Sequence, residues 1–143
     1  MIEVPGVIII LTCNKYIQER LPRHRPKKKS YAGWPVVYCL GDPRHVRSFS
    51  LMPATGDGPP LLIVRCEDTY MHLLKKVDLA IHALQTMYKI EKGVIKVGDD
   101  MFFNDARVEQ WVAGLGNDDY VGHNYSNRSL KLEGKPLVIT KSC

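Results

Sequence analysis

Five consecutive apolar residues, Val7-Ile8-Ile9-Ile10-Leu11, leave this chain little choice of architecture. Their β-branching favours a strand. With no polar residue alternating, both faces of that strand have to be covered. The run ends in the loop Thr12-Cys13-Asn14. Similar runs follow at Trp34-Pro35-Val36-Val37-Tyr38-Cys39-Leu40, stopped by Gly41-Asp42-Pro43, at Leu61-Leu62-Ile63-Val64-Arg65, and at Val94-Ile95-Lys96-Val97. Doubly buried strands separated by helices or long crossovers predict an α/β fold with a mainly parallel sheet flanked by helices.

The intervening segments supply those helices. Asp68 or Thr69 caps a long one, because a short side-chain oxygen there accepts a free backbone N–H. Its apolar stripe is Tyr70, Leu73, Leu74, Val77, Ile81, Leu84 and Tyr88, with Lys75, Asp78, His82 and Thr86 off the stripe. Leu79 falls on the far side, and Gly93 marks the end. Asn104 or Asp105 caps a second helix that buries Val108, Trp111, Val112 and Leu115. Residues 16–21 read as a short helix, 23–31 as a basic loop, and 52–60, rich in Gly and Pro, as a loop. Two extended segments flank a turn at Glu133-Gly134-Lys135-Pro136.

At 143 residues and 45% hydrophobic content, one domain spanning 1–143 can bury its own core. No apolar run approaches the roughly 20 residues of a membrane span, and none has the form of a signal peptide. Cys13, Cys39, Cys66 and Cys143 form no CxxC pair, so a zinc site is not expected. Cys39 and Cys66 read as buried thiols, which suits a reducing, cytoplasmic setting. The net charge of +5 is local: Arg20, Arg23, Arg25, Lys27, Lys28 and Lys29 lie in one stretch without an acid, and without them the chain stands at −1. Such a stretch attracts polyanions or is simply a solvated loop.

In open α/β sheets ligands bind beyond the carboxyl ends of the strands. That gathers residues 12–14, 41–42, 65–68 and 98–100 around one crevice. Within it, Gly98-Asp99-Asp100 follows a buried strand and precedes Met101-Phe102-Phe103. Adjacent carboxylates repel unless a cation joins them. Magnesium and manganese prefer carboxylate and phosphate oxygens, so a metal here could bridge to a diphosphate leaving group. An isolated Asp-Asp is otherwise a solvated turn with one Asp as cap.

Glu67-Asp68-Thr69-Tyr70, followed by Leu73 and Lys76, then Lys96-Val97-Gly98-Asp99-Asp100-Met101-Phe102-Phe103-Asn104, resembles the pattern of β-1,3-galactosyltransferase and Fringe-like glycosyltransferases. Order and spacing agree over residues 65–104. The stretch 9–25 is also similar to the N-terminal glycosyltransferase domain of multidomain chlorella-virus proteins. The resemblance implies a GT-A (Rossmann-like) fold, a UDP-sugar donor and Mn2+ (or Mg2+). It implies inverting transfer of a hexose or deoxyhexose to the hydroxyl of a glycan or glycoprotein acceptor. The last acid of the family triplet, a metal ligand, falls on Asp100. The middle acid, near the donor ribose and sugar, falls on Asp99, and the first is Gly98 here. The family lysine falls on Lys76, to order the acidic turn or face the donor, or else it is a surface lysine. Asp68 is either a helix cap or a donor contact.

The first strand and loop of that fold hold the nucleotide, which gives Thr12, Cys13 and Asn14 as contacts to uracil or ribose. Topology adds Asp42 and Arg65. The acceptor half of the family, with its acidic base and metal-binding His, has no clear counterpart before Cys143. The catalytic base is therefore unassigned, and the expectation is a shortened domain or a piece of a longer one, in the host cytoplasm if viral. Two other readings compete. A polymerase palm also carries Gly-Asp-Asp, but it needs a second acidic strand upstream, and none is present. A non-enzymatic module could hold nucleic acid or an anionic glycan on residues 20–29. Only Tyr31 and Trp34 are at hand there for base stacking, so nucleic acid is not expected.

Overall fold

The computed structural model describes residues 1–13, 26, 28–53, 58–99 and 103–115. Its elements in chain order are β1 (Ile2–Leu11), β2 (Ser30–Tyr31), β3 (Trp34–Gly41), β4 (Phe49–Met52), β5 (Leu61–Val64), a 3-10 turn (Tyr70–His72), α1 (Leu73–Met87), β6 (Tyr88–Gly98) and α2 (Asp105–Ala113). The sheet order is β4-β5-β3-β1-β6, with β2 paired to β3. β1 runs parallel to β3 and β6, and β3 parallel to β5. β4 and β2 pair antiparallel at the margins. The result is a mixed, mostly parallel sheet flanked by helices.

β1 shows why its sequence is apolar throughout. Val7, Ile9 and Leu11 join Val37, Cys39, Leu62, Val64, Ala80, Ala83 and Leu84 in the layer beneath α1. Ile8 and Ile10 point the other way, into a layer with Tyr31, Trp34, Val36, Tyr38 and Val112. Period-two alternation in a central strand thus feeds two cores at once.

Four helix and strand expectations are corrected in whole or in part. The predicted stripe of α1 holds in part: Leu84 is buried and Leu73, Val77 and Ile81 pack against the core, beside Lys76, Ala80 and Ala83, while Tyr70 is 64% and Leu74 83% exposed. Small alanines let the helix sit close to the sheet, and they register weakly in a count of large apolar residues. Neither Asp68 nor Thr69 caps this helix through its side chain. In α2 the Asn104 cap holds, accepting the Arg107 N–H at 3.2 Å, but Trp111 lies 47% exposed and Val112 fills the core.

The fourth correction is the end of α1. It stops at Met87, and Tyr88 already belongs to β6, which pairs with β1 from Ile2 onward. The register shifts between Val4 and Gly6, opposite Ile90 and Gly93. Pro5 lies in that gap and has no N–H to give the ladder, so the partner strand bulges. Gly93, at φ 142°, absorbs the bend. Gly93 therefore marks a bulge inside a strand.

β4 is too short and too weakly patterned to be anticipated, and β2 forms where a loop is expected. The predicted helix at 16–21, most of the basic stretch, and the extended segments around residue 133 lie outside the described residues. Among the described residues no helix is long and apolar enough to cross a membrane.

Candidate functional site

The chain reverses its direction of travel across the sheet at β1. It steps outward from β1 to β3 and β5, then returns through α1 to place β6 on the opposite flank of β1. Crossovers leaving in opposite directions part beyond the carboxyl ends of β1 and β6, which is where α/β sheets bind ligands. The residues just past those two ends are Thr12 and Asp99.

Both are buried, at 0% and 1% exposure. Thr12 Oγ1 donates to Asp99 Oδ2 at 3.0 Å. Lys76, also only 1% exposed, reaches the same place from α1. Its Nζ donates to the Thr12 carbonyl at 2.5 Å and to Asp68 Oδ1 at 2.7 Å. Four residues from four segments thus form one polar chain, Asp68–Lys76–Thr12–Asp99, which passes through the Thr12 main chain. Charged lysines are seldom buried without such partners, and hydrogen bonds to ionised groups are the stronger kind.

Asp68 Oδ2 is buried without a hydrogen-bond partner among the described residues. Gly41, at the end of β3, lets this carboxylate approach. A Cβ on Gly41 would lie 3.2 Å from Asp68 Cβ and Cγ and 3.1 Å from the Cys66 carbonyl oxygen.

The thiols around this chain are shielded. Burial pushes Cys39 up to about 12, outweighing the opposing pull of Lys76, and burial also raises Cys66. Both are free and buried, as the sequence suggests. Since the thiolate is the reactive form, Cys39 is expected to resist alkylation by iodoacetamide at pH 8 in the folded chain and to label readily in denaturant. Labelling of native Cys39 at the rate of a free thiol would contradict this.

The other predicted residues divide plainly. Cys13 is buried beside Thr12. Asn14 and Asp100 lie outside the described residues. Asp42 Oδ1 accepts the Arg44 N–H at 2.9 Å. Arg65 donates through Nη1 to the Val46 carbonyl at 3.3 Å and through its N–H to Ser48 at 2.9 Å. These two brace the 42–48 connection and do not join the buried chain. Among the described residues no three His, Cys, Asp or Glu side chains are grouped to hold a metal ion.

A second polar set, not foreseen in the sequence, ties α2 to the β2–β3 hairpin. Tyr31 Oη donates to Asp105 Oδ1 at 2.5 Å, and Glu109 accepts the Ala32 N–H at 2.7 Å and Lys28 Nζ at 3.2 Å. Burial, then the bond to Asp105, holds the Tyr31 hydroxyl far above its ordinary range. The Ala32 N–H, followed by Lys28, holds the Glu109 carboxyl below the usual one. The turn places Ala32 at φ 49° and Gly33 at φ 82°, the two-residue geometry that matches strand twist. Lys28 also lies 5.8 Å from the centre of the Tyr31 ring, so one charge of the basic stretch is committed within the fold.

Comparison of the chain with protein-family models, curated proteins and solved structures found no match.

Proposed function

We propose that this chain is the donor-binding domain of a metal-dependent glycosyltransferase of GT-A type. It takes a UDP-sugar and passes a hexose or deoxyhexose, with inversion, to the hydroxyl of a glycan or glycoprotein. One observation carries the reading. A buried aspartate, Asp99, is held by Thr12 where the chain reverses across the sheet, and a second aspartate, Asp100, follows it directly in sequence. The resemblance over residues 65–104 puts the family's acidic triplet on that same turn.

Two adjacent carboxylates offer the hard oxygen donors that manganese and magnesium prefer. An ion held by Asp100 and Asp99 would supply charge stabilisation for the departing nucleoside diphosphate. The chain's own residues do the remaining work. Thr12 fixes the direction of the Asp99 carboxylate. Lys76 and Asp68 hold the end of β1 in place.

Manganese with UDP is expected to raise the melting temperature of the full chain. Ligand at one hundred times its Kd should add about 2.7 kcal/mol by mass action. Asp100→Ala should abolish the rise and leave the unliganded melting temperature in place. An equal rise in Asp100→Ala would move the metal away from this turn, and no rise in the wild type would remove the reading.

A further inference from the structure

We infer that Thr12 is the joint of a buried positioning relay, Asp68–Lys76–Thr12–Asp99, through which α1 sets the orientation of the acidic turn, so that Thr12 and Lys76 act on the turn and not on a ligand. Thr12 is 0% and Lys76 1% exposed, so neither has surface left to offer a substrate. Both polar groups of Thr12 beyond its N–H are engaged: the carbonyl by Lys76, the hydroxyl by Asp99. The N–H itself donates to the Cys39 carbonyl at 2.9 Å, continuing the β1–β3 ladder. The residue is therefore fixed on three sides.

The coupling follows from covalent geometry. The peptide plane after Thr12 and the Thr12 side chain share one α-carbon, so a Lys76 that holds the carbonyl also limits where Oγ1 can sit. Asp68 in turn holds the Lys76 ammonium, the end of a side chain with much rotamer freedom to lose. Gly41 admits Asp68 at the necessary distance. Stability alone does not call for this arrangement, because an apolar replacement of a buried ion pair is often no less stable. A fixed direction for one carboxylate is what the polar version adds. That this carboxylate serves a metal rests on the function proposed above.

The test uses the full chain and two measurements. Amide hydrogen exchange at Gly98 and Asp99 is followed without ligand, and manganese binding with UDP is followed by the electron-spin signal of free Mn2+. Thr12→Val keeps the shape and removes the donor. It is expected to speed exchange at those amides by about tenfold or more, the worth of a hydrogen bond to a charged group. It should weaken manganese binding by about 10- to 100-fold, as loss of a ligand-orienting partner does. Thr12→Ser keeps the hydroxyl and should stay within about threefold of wild type in both. The double variant Asp68→Asn/Lys76→Met removes both charges together, so that it folds, and should resemble Thr12→Val. Unchanged exchange in Thr12→Val, or failure of Thr12→Ser to restore it, would overturn the relay. If the wild type ignores manganese and UDP, the transferase reading falls and exchange alone decides the relay.

Discussion

Lys76→Met is expected to lower the unfolding free energy by about 3–5 kcal/mol, read from urea denaturation of the full chain, because it strands a buried carboxylate. Asp68 Oδ1 loses its cation, and Oδ2 has no hydrogen-bond partner among the described residues. Adding Asp68→Asn should recover most of the loss, since the stranded charge goes with it. The cycle of two single variants and the double one then isolates the pair's interaction from the packing of either side chain. Lys75, the exposed neighbour, is the control, and Lys75→Met should stay within about 0.5 kcal/mol of wild type. A cost for Lys76→Met no larger than for Lys75→Met would show that the lysine is not held as described.

Gly6→Ala is the second large effect. A Cβ at Gly6 would lie 2.2 Å from Cζ3 of Trp34, with Cε3 and Cη2 of the same ring at 2.4 and 2.5 Å. Trp34 is buried and packed among Ile8, Val36 and Val112, so the ring has nowhere to retreat. Forcing extra atoms into such a contact costs about 1–3 kcal/mol, more where a ring must move. In a Trp34→Leu background the same Gly6→Ala change should cost much less, because the obstructing ring is gone. At Gly58 a Cβ would meet nothing within 4 Å among the described residues, and Gly58→Ala is expected to be nearly neutral. Equal costs at Gly6 and Gly58 would refute the close approach of Trp34.

The central strands were legible because residues covered on both faces leave no polar gap in the sequence. Val7 to Leu11 and Leu61 to Val64 need no partner to be recognised. The start of β6 was hidden, since Tyr88 and Ile90 become strand only by pairing with residues more than eighty positions away. The face of α1 is legible only in part, for a chemical reason. Lys76 counts as polar in any periodicity, yet its ammonium is satisfied by a backbone carbonyl that has no signature in sequence. Thr12 and Asp99 were within reach of the crevice rule, which names strand ends. What the rule could not supply was their mutual hydrogen bond, because the strand order that makes β1 and β6 neighbours emerges only in the fold. The Ala32-Gly33 turn lacks the Asn-Gly or Asp-Gly pair that usually announces such hairpins.

The alternation of β1 between two apolar layers has an implication for alignment of that strand. In most half-buried strands a one-residue slip exposes oil to water and is rejected at once. Here a slip would trade isoleucine for isoleucine or valine, and hydrophobicity alone would barely object. The frame has to be locked at the termini: a notch at Gly6 that only a bare backbone can fill beneath Trp34, and a hydroxyl at Thr12 that only one position can deliver to Asp99.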